Sequence, residues 1–119
     1  MTSLIASLST GKGSWAHVAE LIKAEDWESI FLITNTFGAQ KFSVEGKQLN
    51  FVIINPDAGV KSISESIISQ LDGKIVDTEV ALNLISGSGK EHMAILSSVL
   101  QLGLGIRFIC SSEDGCVGL

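Results

Sequence analysis

Charge is scarce in this sequence. Asp, Glu, Lys and Arg make up only 18% of its 119 residues, and they balance to −5. That acidic excess lacks the basic face with which a protein displaces counterions from duplex nucleic acid, so such an interface is excluded. A small anion stays possible, because one or two lysines and a few backbone amides suffice locally. Cysteine is limited to Cys110 and Cys116. The start, Met1-Thr2-Ser3-Leu4-Ile5, lacks the basic beginning and long apolar core of a secretion signal, so the expectation is a cytoplasmic protein with free thiols. Histidine occurs only as His17 and His92, far from the cysteines, and neither a metal site nor a cofactor is predicted. No apolar run approaches the ~18 residues of a membrane span. Charge this low beside 45% hydrophobic residues predicts a surface partly covered by a second copy of the chain.

Five short apolar runs read as strands: Ser3–Leu8, Ser29–Asn35, Leu49–Asn55, Val80–Ser86 and Ile106–Cys110. Pro56, the only proline, stops the third. Between them lie helical spacings. Trp15, Val18, Ala19 and Ile22 share one face behind Ser14, a potential cap. Val60, Ile63, Ile67 and Leu71 form another face behind Asp57, likewise a potential cap. Ser88 and Glu91 fit a capping box for a helix from Gly89 to about Leu102. Its apolar residues form two stripes, Met93/Leu96/Leu100 and Ile95/Val99/Leu102, so one side is expected on the sheet and the other on a partner copy. Residues 36–48 read poorly, with one helical turn near Ala39–Phe42 and a turn at Glu45-Gly46-Lys47.

Strands apolar throughout and alternating with helices predict an α/β, three-layer, Rossmann-like domain with a mainly parallel five-stranded sheet. The domain would span residues 1–110, with 111–119 a loosely ordered tail. Right-handed crossovers favour the order 3-2-1-4-5. Growth reverses between the first and fourth strands, which is where a ligand crevice opens at their carboxyl ends.

Both loops at that reversal are rich in small residues. The first holds Ser9, Thr10, Gly11, Lys12, Gly13 and Ser14; the second holds Ser86, Gly87, Ser88, Gly89 and Lys90. Glycines let amides approach an anion closely, helix N-termini add partial positive charge, and Lys12 and Lys90 add full charges. Asn35, at the end of the second strand, joins the same candidate ligand set. Gly11-Lys12-Gly13-Ser14-Trp15-Ala16 follows the dinucleotide spacing, but the strand that should end in an acidic residue ends in Thr34-Asn35. Glu91 stands where a P-loop needs Ser or Thr. Neither histidine has an evident acid or nucleophile partner, so the chemistry such a site would suit is the positioning of a ligand's own hydroxyl beside its phosphate.

The segment Val80–Met93 resembles a signature of CARF domains, the CRISPR-associated Rossmann-fold sensors. Lys90 and Met93 match the lysine and methionine of that signature, and Gly87-Ser88-Gly89 its small turn residues. Ser9-Thr10-Gly11 resembles the family's first ligand loop, and Leu102–Arg107 its turn into the next strand. Gly89 replaces the usual threonine. The resemblance implies a homodimer that binds a cyclic oligoadenylate across its subunits or cleaves it without metal; the two-striped 89–102 helix is where the pairing is expected. Lys90 would contact phosphate, and Ser9 or Thr10 the ribose-phosphate. A non-catalytic α/β binding or assembly module is the competing expectation.

Overall fold

A computed structural model describes residues 2–9 and 12–119, excepting the side chain of Lys12. In chain order the elements are β1 (Ser3–Ser7), α1 (Trp15–Ala24), β2 (Ile30–Thr34), α2 (Thr36–Lys41), β3 (Asn50–Ile53), α3 (Val60–Leu71), β4 (Glu79–Asn83), α4 (Gly89–Gln101), β5 (Gly105–Ser112) and β6 (Gly115–Gly118). A short 3-10 turn, Lys12–Ser14, leads into α1.

The strands form one sheet in the order β3-β2-β1-β4-β5-β6, parallel from β3 through β5. Alternation along each strand sends side chains to two cores. Leu4, Ala6, Ile30, Leu32, Ala81 and Ile109 pack under α1 with Val18, Leu21 and Ile22. Ile5, Phe31, Ile33, Val52, Val80 and Leu82 face α3 and α4. All five residues of β1 and of β2 are buried, as strands covered on both faces must be. The layers are therefore helix, sheet, helix: an α/β domain with a Rossmann-like, doubly wound sheet. α3 and α4 lie close together because serines meet between them. Ser98 Oγ lies 2.6 Å from the Ala94 carbonyl in its own helix and 3.1 Å from both the Ser64 carbonyl and Ser64 Oγ, which satisfies these small buried hydroxyls.

Several expectations are corrected. The sheet has six strands where five are predicted, and residues 111–119 contain the end of β5 and all of β6 instead of a loose tail. Glu113-Asp114 forms the turn, Gly115 follows at φ 98°, and β6 runs antiparallel to β5. A turn closed by a left-handed glycine is a standard hairpin connection, and its Asp-Gly signal stands in the sequence. Ser14 makes no side-chain cap on α1, because the preceding 3-10 turn already gives it helical backbone angles. Asp57 does not cap α3 either. It lies in a turn where its N–H donates to Asn55 Oδ1, and Gly59 takes the cap position. The turn expected at Ala39–Phe42 is the end of a longer helix, α2, capped by Asn35 Oδ1 on the N–H of Gly38 at 2.9 Å.

Candidate functional site

The carboxyl ends of β1 and β4 are adjacent, and the loops leaving them are bonded to each other. The backbone N–H of Ser9 donates to Ser86 Oγ at 2.7 Å, and Ser86 Oγ donates to Ser9 Oγ at 3.0 Å. Ser86 is buried and Ser9 half-buried, so this pair joins the two loops at the edge of the core. Trp15, in the first turn of α1, donates its indole N–H to the Ser9 carbonyl, and its ring packs edge-on to Phe42 at 5.6 Å.

The second loop is closely fitted. Gly87 has φ 104°, and a side chain there would place Cβ 2.7 Å from Ser7 Oγ and 3.3 Å from His92 Nε2. Only glycine satisfies both the conformation and the space. Ser88 caps α4 in a full capping box: Glu91 N–H donates to Ser88 Oγ at 3.3 Å, and Ser88 N–H donates to Glu91 Oε1 at 2.8 Å. His92 Nε2 lies 2.8 Å from the Ser86 carbonyl. A carbonyl only accepts, so Nε2 carries the proton and His92 braces the loop.

A cavity of about 240 Å³ opens between the loops, lined by Leu8, Ser9, Asn35, Pro56, Ser88 and Glu91. A shallower depression of about 410 Å³ shares Asn35 and Pro56 with it and is floored by the exposed Phe37 and Ile53. Together they make a groove with hydroxyls and a carboxylate at one end and an apolar shelf at the other.

Of the residues predicted for the site, Ser9, Ser88 and Asn35 line the groove, and Ser86 and Gly87 support it. Gly13 and Gly89 are exposed, with open space where a side chain would stand. Ser14 is half-buried. Thr10, Gly11 and the side chain of Lys12 lie outside the described residues. Lys90 does not line the groove: its Nζ donates to the Ala58 carbonyl at 2.9 Å, linking α4 to the turn before α3. Glu91 and Pro56 enter the lining unforeseen. For Glu91 the capping box was itself the signal, since it places the carboxylate back over the helix start.

A second polar cluster lies across the sheet, beneath α1. Asn83, buried at the end of β4, donates through Nδ2 to the Ile109 carbonyl at 2.8 Å and to His17 Nε2 at 3.2 Å. Its Oδ1 accepts from Ile85 N–H, which fixes the amide's orientation. His17 Nε2 therefore accepts, and its proton sits on Nδ1. Nearby, Ser111 Oγ donates to Glu20 Oε2 at 2.7 Å. The depression there, about 640 Å³, is larger than the groove, but it is shallow and lined by charges of both signs, Glu20, Lys23 and Glu113. The groove between β1 and β4 is the better candidate, because both loops and a helix start converge on it.

The cysteines fit no site. Register sets Cys116 opposite Ser111 and Cys110 opposite Val117, so the thiols point to opposite faces and cannot pair. Burial, and secondarily Glu25, push the Cys116 thiol above its ordinary value. Among the described residues no group of three or more His, Cys, Asp or Glu is placed to hold a metal, and no helix is long and apolar enough to cross a membrane.

The fold and groove define a class: a Rossmann-like α/β domain with a crevice at its topological switch point. No protein-family model and no curated protein matches the chain.

Proposed function

We propose that this protein binds a small phosphorylated ligand of nucleotide type in the groove between β1 and β4, and acts as a cytoplasmic homodimer paired through α4. The observation that carries the reading is the two-ended groove at the switch point. Its polar end offers the Ser9 and Ser88 hydroxyls, beside the start of α4, as donors to a phosphate. Glu91, already engaged by one oxygen, suits the hydroxyls of a sugar. The shelf of Phe37, Ile53 and Pro56 suits a base, in keeping with pockets that are mostly apolar with a few placed polar groups. Lys90, held on the Ala58 carbonyl outside the groove, would reach a phosphate only by leaving that bond for an ion pair, which is stronger than a bond to a neutral carbonyl. The resemblance of the Ser86–Met93 segment to CARF domains makes a cyclic oligoadenylate the specific candidate, bound as a signal or cleaved without metal with Ser9 or Thr10 beside the ribose-phosphate.

Calorimetry with cyclic tetra- and hexa-adenylate, AMP and ATP tests this, with chromatography of the incubated ligands to detect linear products. Binding is expected, and Lys90→Ala should weaken it about tenfold or more, the cost of a lost charged hydrogen bond, with little change in melting temperature. Absence of binding by every one of these nucleotides would defeat the proposal. A non-catalytic assembly module is the second reading, favoured by the apolar outer face of α4, where Met93 and Leu100 lie exposed.

A further inference from the structure

Two side chains of the groove are each held by one atom and leave the other unused. Glu91 closes the capping box of α4 with Oε1, which accepts from Ser88 N–H at 2.8 Å. Its Oε2 has no hydrogen-bond partner among the described residues. Asn35 caps α2 with Oδ1, which accepts from Gly38 N–H at 2.9 Å. That bond fixes which end of the amide is the donor, and Nδ2 likewise has no partner among the described residues. Both residues are half-buried and line the same cavity. Each is anchored at the start of a helix by its cap, so the unused atoms are set in place before any ligand arrives.

What these two atoms can take is limited. A carboxylate oxygen only accepts and an amide nitrogen only donates, so the pair matches a group that does both, a hydroxyl. The cavity, about 240 Å³, lies below the roughly 300 Å³ at which pockets for whole ligands begin, so it holds one part of a nucleotide. Glu91 is the one charged side chain among the described residues of its lining, and a carboxylate repels a phosphate brought against it. A base is better served by the apolar shelf of Phe37 and Ile53 in the neighbouring depression. The part left for Glu91 and Asn35 is the sugar.

We infer that the groove selects ribonucleotides over 2′-deoxyribonucleotides: the 2′-hydroxyl of the ribose donates to Glu91 Oε2 and accepts from Asn35 Nδ2. The 2′-hydroxyl is free in mononucleotides and in 3′–5′-linked cyclic oligomers alike, whereas that linkage esterifies the 3′-oxygen. A ligand without it leaves a charged acceptor and an amide donor facing the sugar with nothing to bond. This is how a site built around a hydroxyl rejects the analogue that lacks one. The inference rests on the reading of the groove as a nucleotide site and adds which part of the nucleotide its two poised side chains recognise.

Calorimetry of the whole protein with AMP, ATP and cyclic tetra- and hexa-adenylate, each beside its 2′-deoxy counterpart, tests it on the wild type and on Glu91→Gln and Asn35→Asp. Each substitution keeps the oxygen that makes the cap and changes only the unused atom, from acceptor to donor in one and from donor to acceptor in the other. Both variants should therefore fold, which urea unfolding checks. The wild type is expected to prefer the ribonucleotide about tenfold or more, the effect of losing a hydrogen bond to a charged group. Each variant should bring the ratio of the two affinities close to one. The ratio is the readout, because a change of charge acts on both members of a pair alike. Equal binding of both members by the wild type overturns the inference and leaves the nucleotide groove standing, and a ratio unmoved by one of the variants overturns it as well. Absence of binding by every ligand overturns the inference and the nucleotide reading together.

Discussion

Ser86 does more than its size suggests. Its hydroxyl accepts from the Ser9 amide and donates to the Ser9 hydroxyl, while its carbonyl holds His92. Ser86→Ala keeps the carbonyl contact and removes both hydroxyl bonds inside a buried site. The expected cost is about 1 kcal/mol or more, measured by urea unfolding, because two part-buried hydrogen bonds between the loops are lost. A change within a few tenths would show that the loops are held by something else. At this scale the sequence is only partly informative. It marks Ser9, Ser86 and Ser88 as small polar residues near a turn, yet their pairing depends on β1 and β4 being neighbours. Lys90 shows the limit most clearly. A lysine after a glycine at a helix start suggests phosphate, but its ammonium rests on Ala58, a residue thirty-two positions away. The surface ion pair of Arg107 with Glu79, at 3.8 Å and half exposed on both sides, contributes little.

Elements show a different balance. The capping box of α4 is local, so Ser88 and Glu91 announce it in sequence and the structure has it. The Asp114-Gly115 hairpin is equally local, and its signal is there to be read, although a short, glycine-rich strand with little apolar content gives weak support for β6. The protection of β3 is not local at all. This edge strand is clamped by a side chain of α3: Gln70 Oε1 accepts from Ile53 N–H at 3.1 Å, and Gln70 Nε2 donates to the Ile53 carbonyl at 2.9 Å. A glutamine amide thus occupies the peptide that another strand would use, one way of blunting a sheet edge. Gln70→Ala should cost at most about 1 kcal/mol, since the bonds are exposed, but should speed hydrogen exchange of the Ile53 amide about tenfold. Unchanged exchange would mean that the edge is protected otherwise.

For the whole molecule, a dimer has a simple thermodynamic signature. Association stabilises the folded state by mass action, so the melting temperature should rise with protein concentration, and Leu100→Glu should flatten that rise. A melting temperature independent of concentration in the wild type would count against the interface. By itself the sequence determined the alternation of strands and helices, the parallel core strands and the reversal between the first and fourth. These follow from apolar periodicity and chain handedness, which act along the chain or between consecutive elements. Tertiary structure alone decided that Glu91 lines the groove while Lys90 turns from it, and that Asn83 and His17 pin β5. Each depends on contacts between residues distant in the chain, and no local preference encodes which of two nearby side chains reaches a cavity.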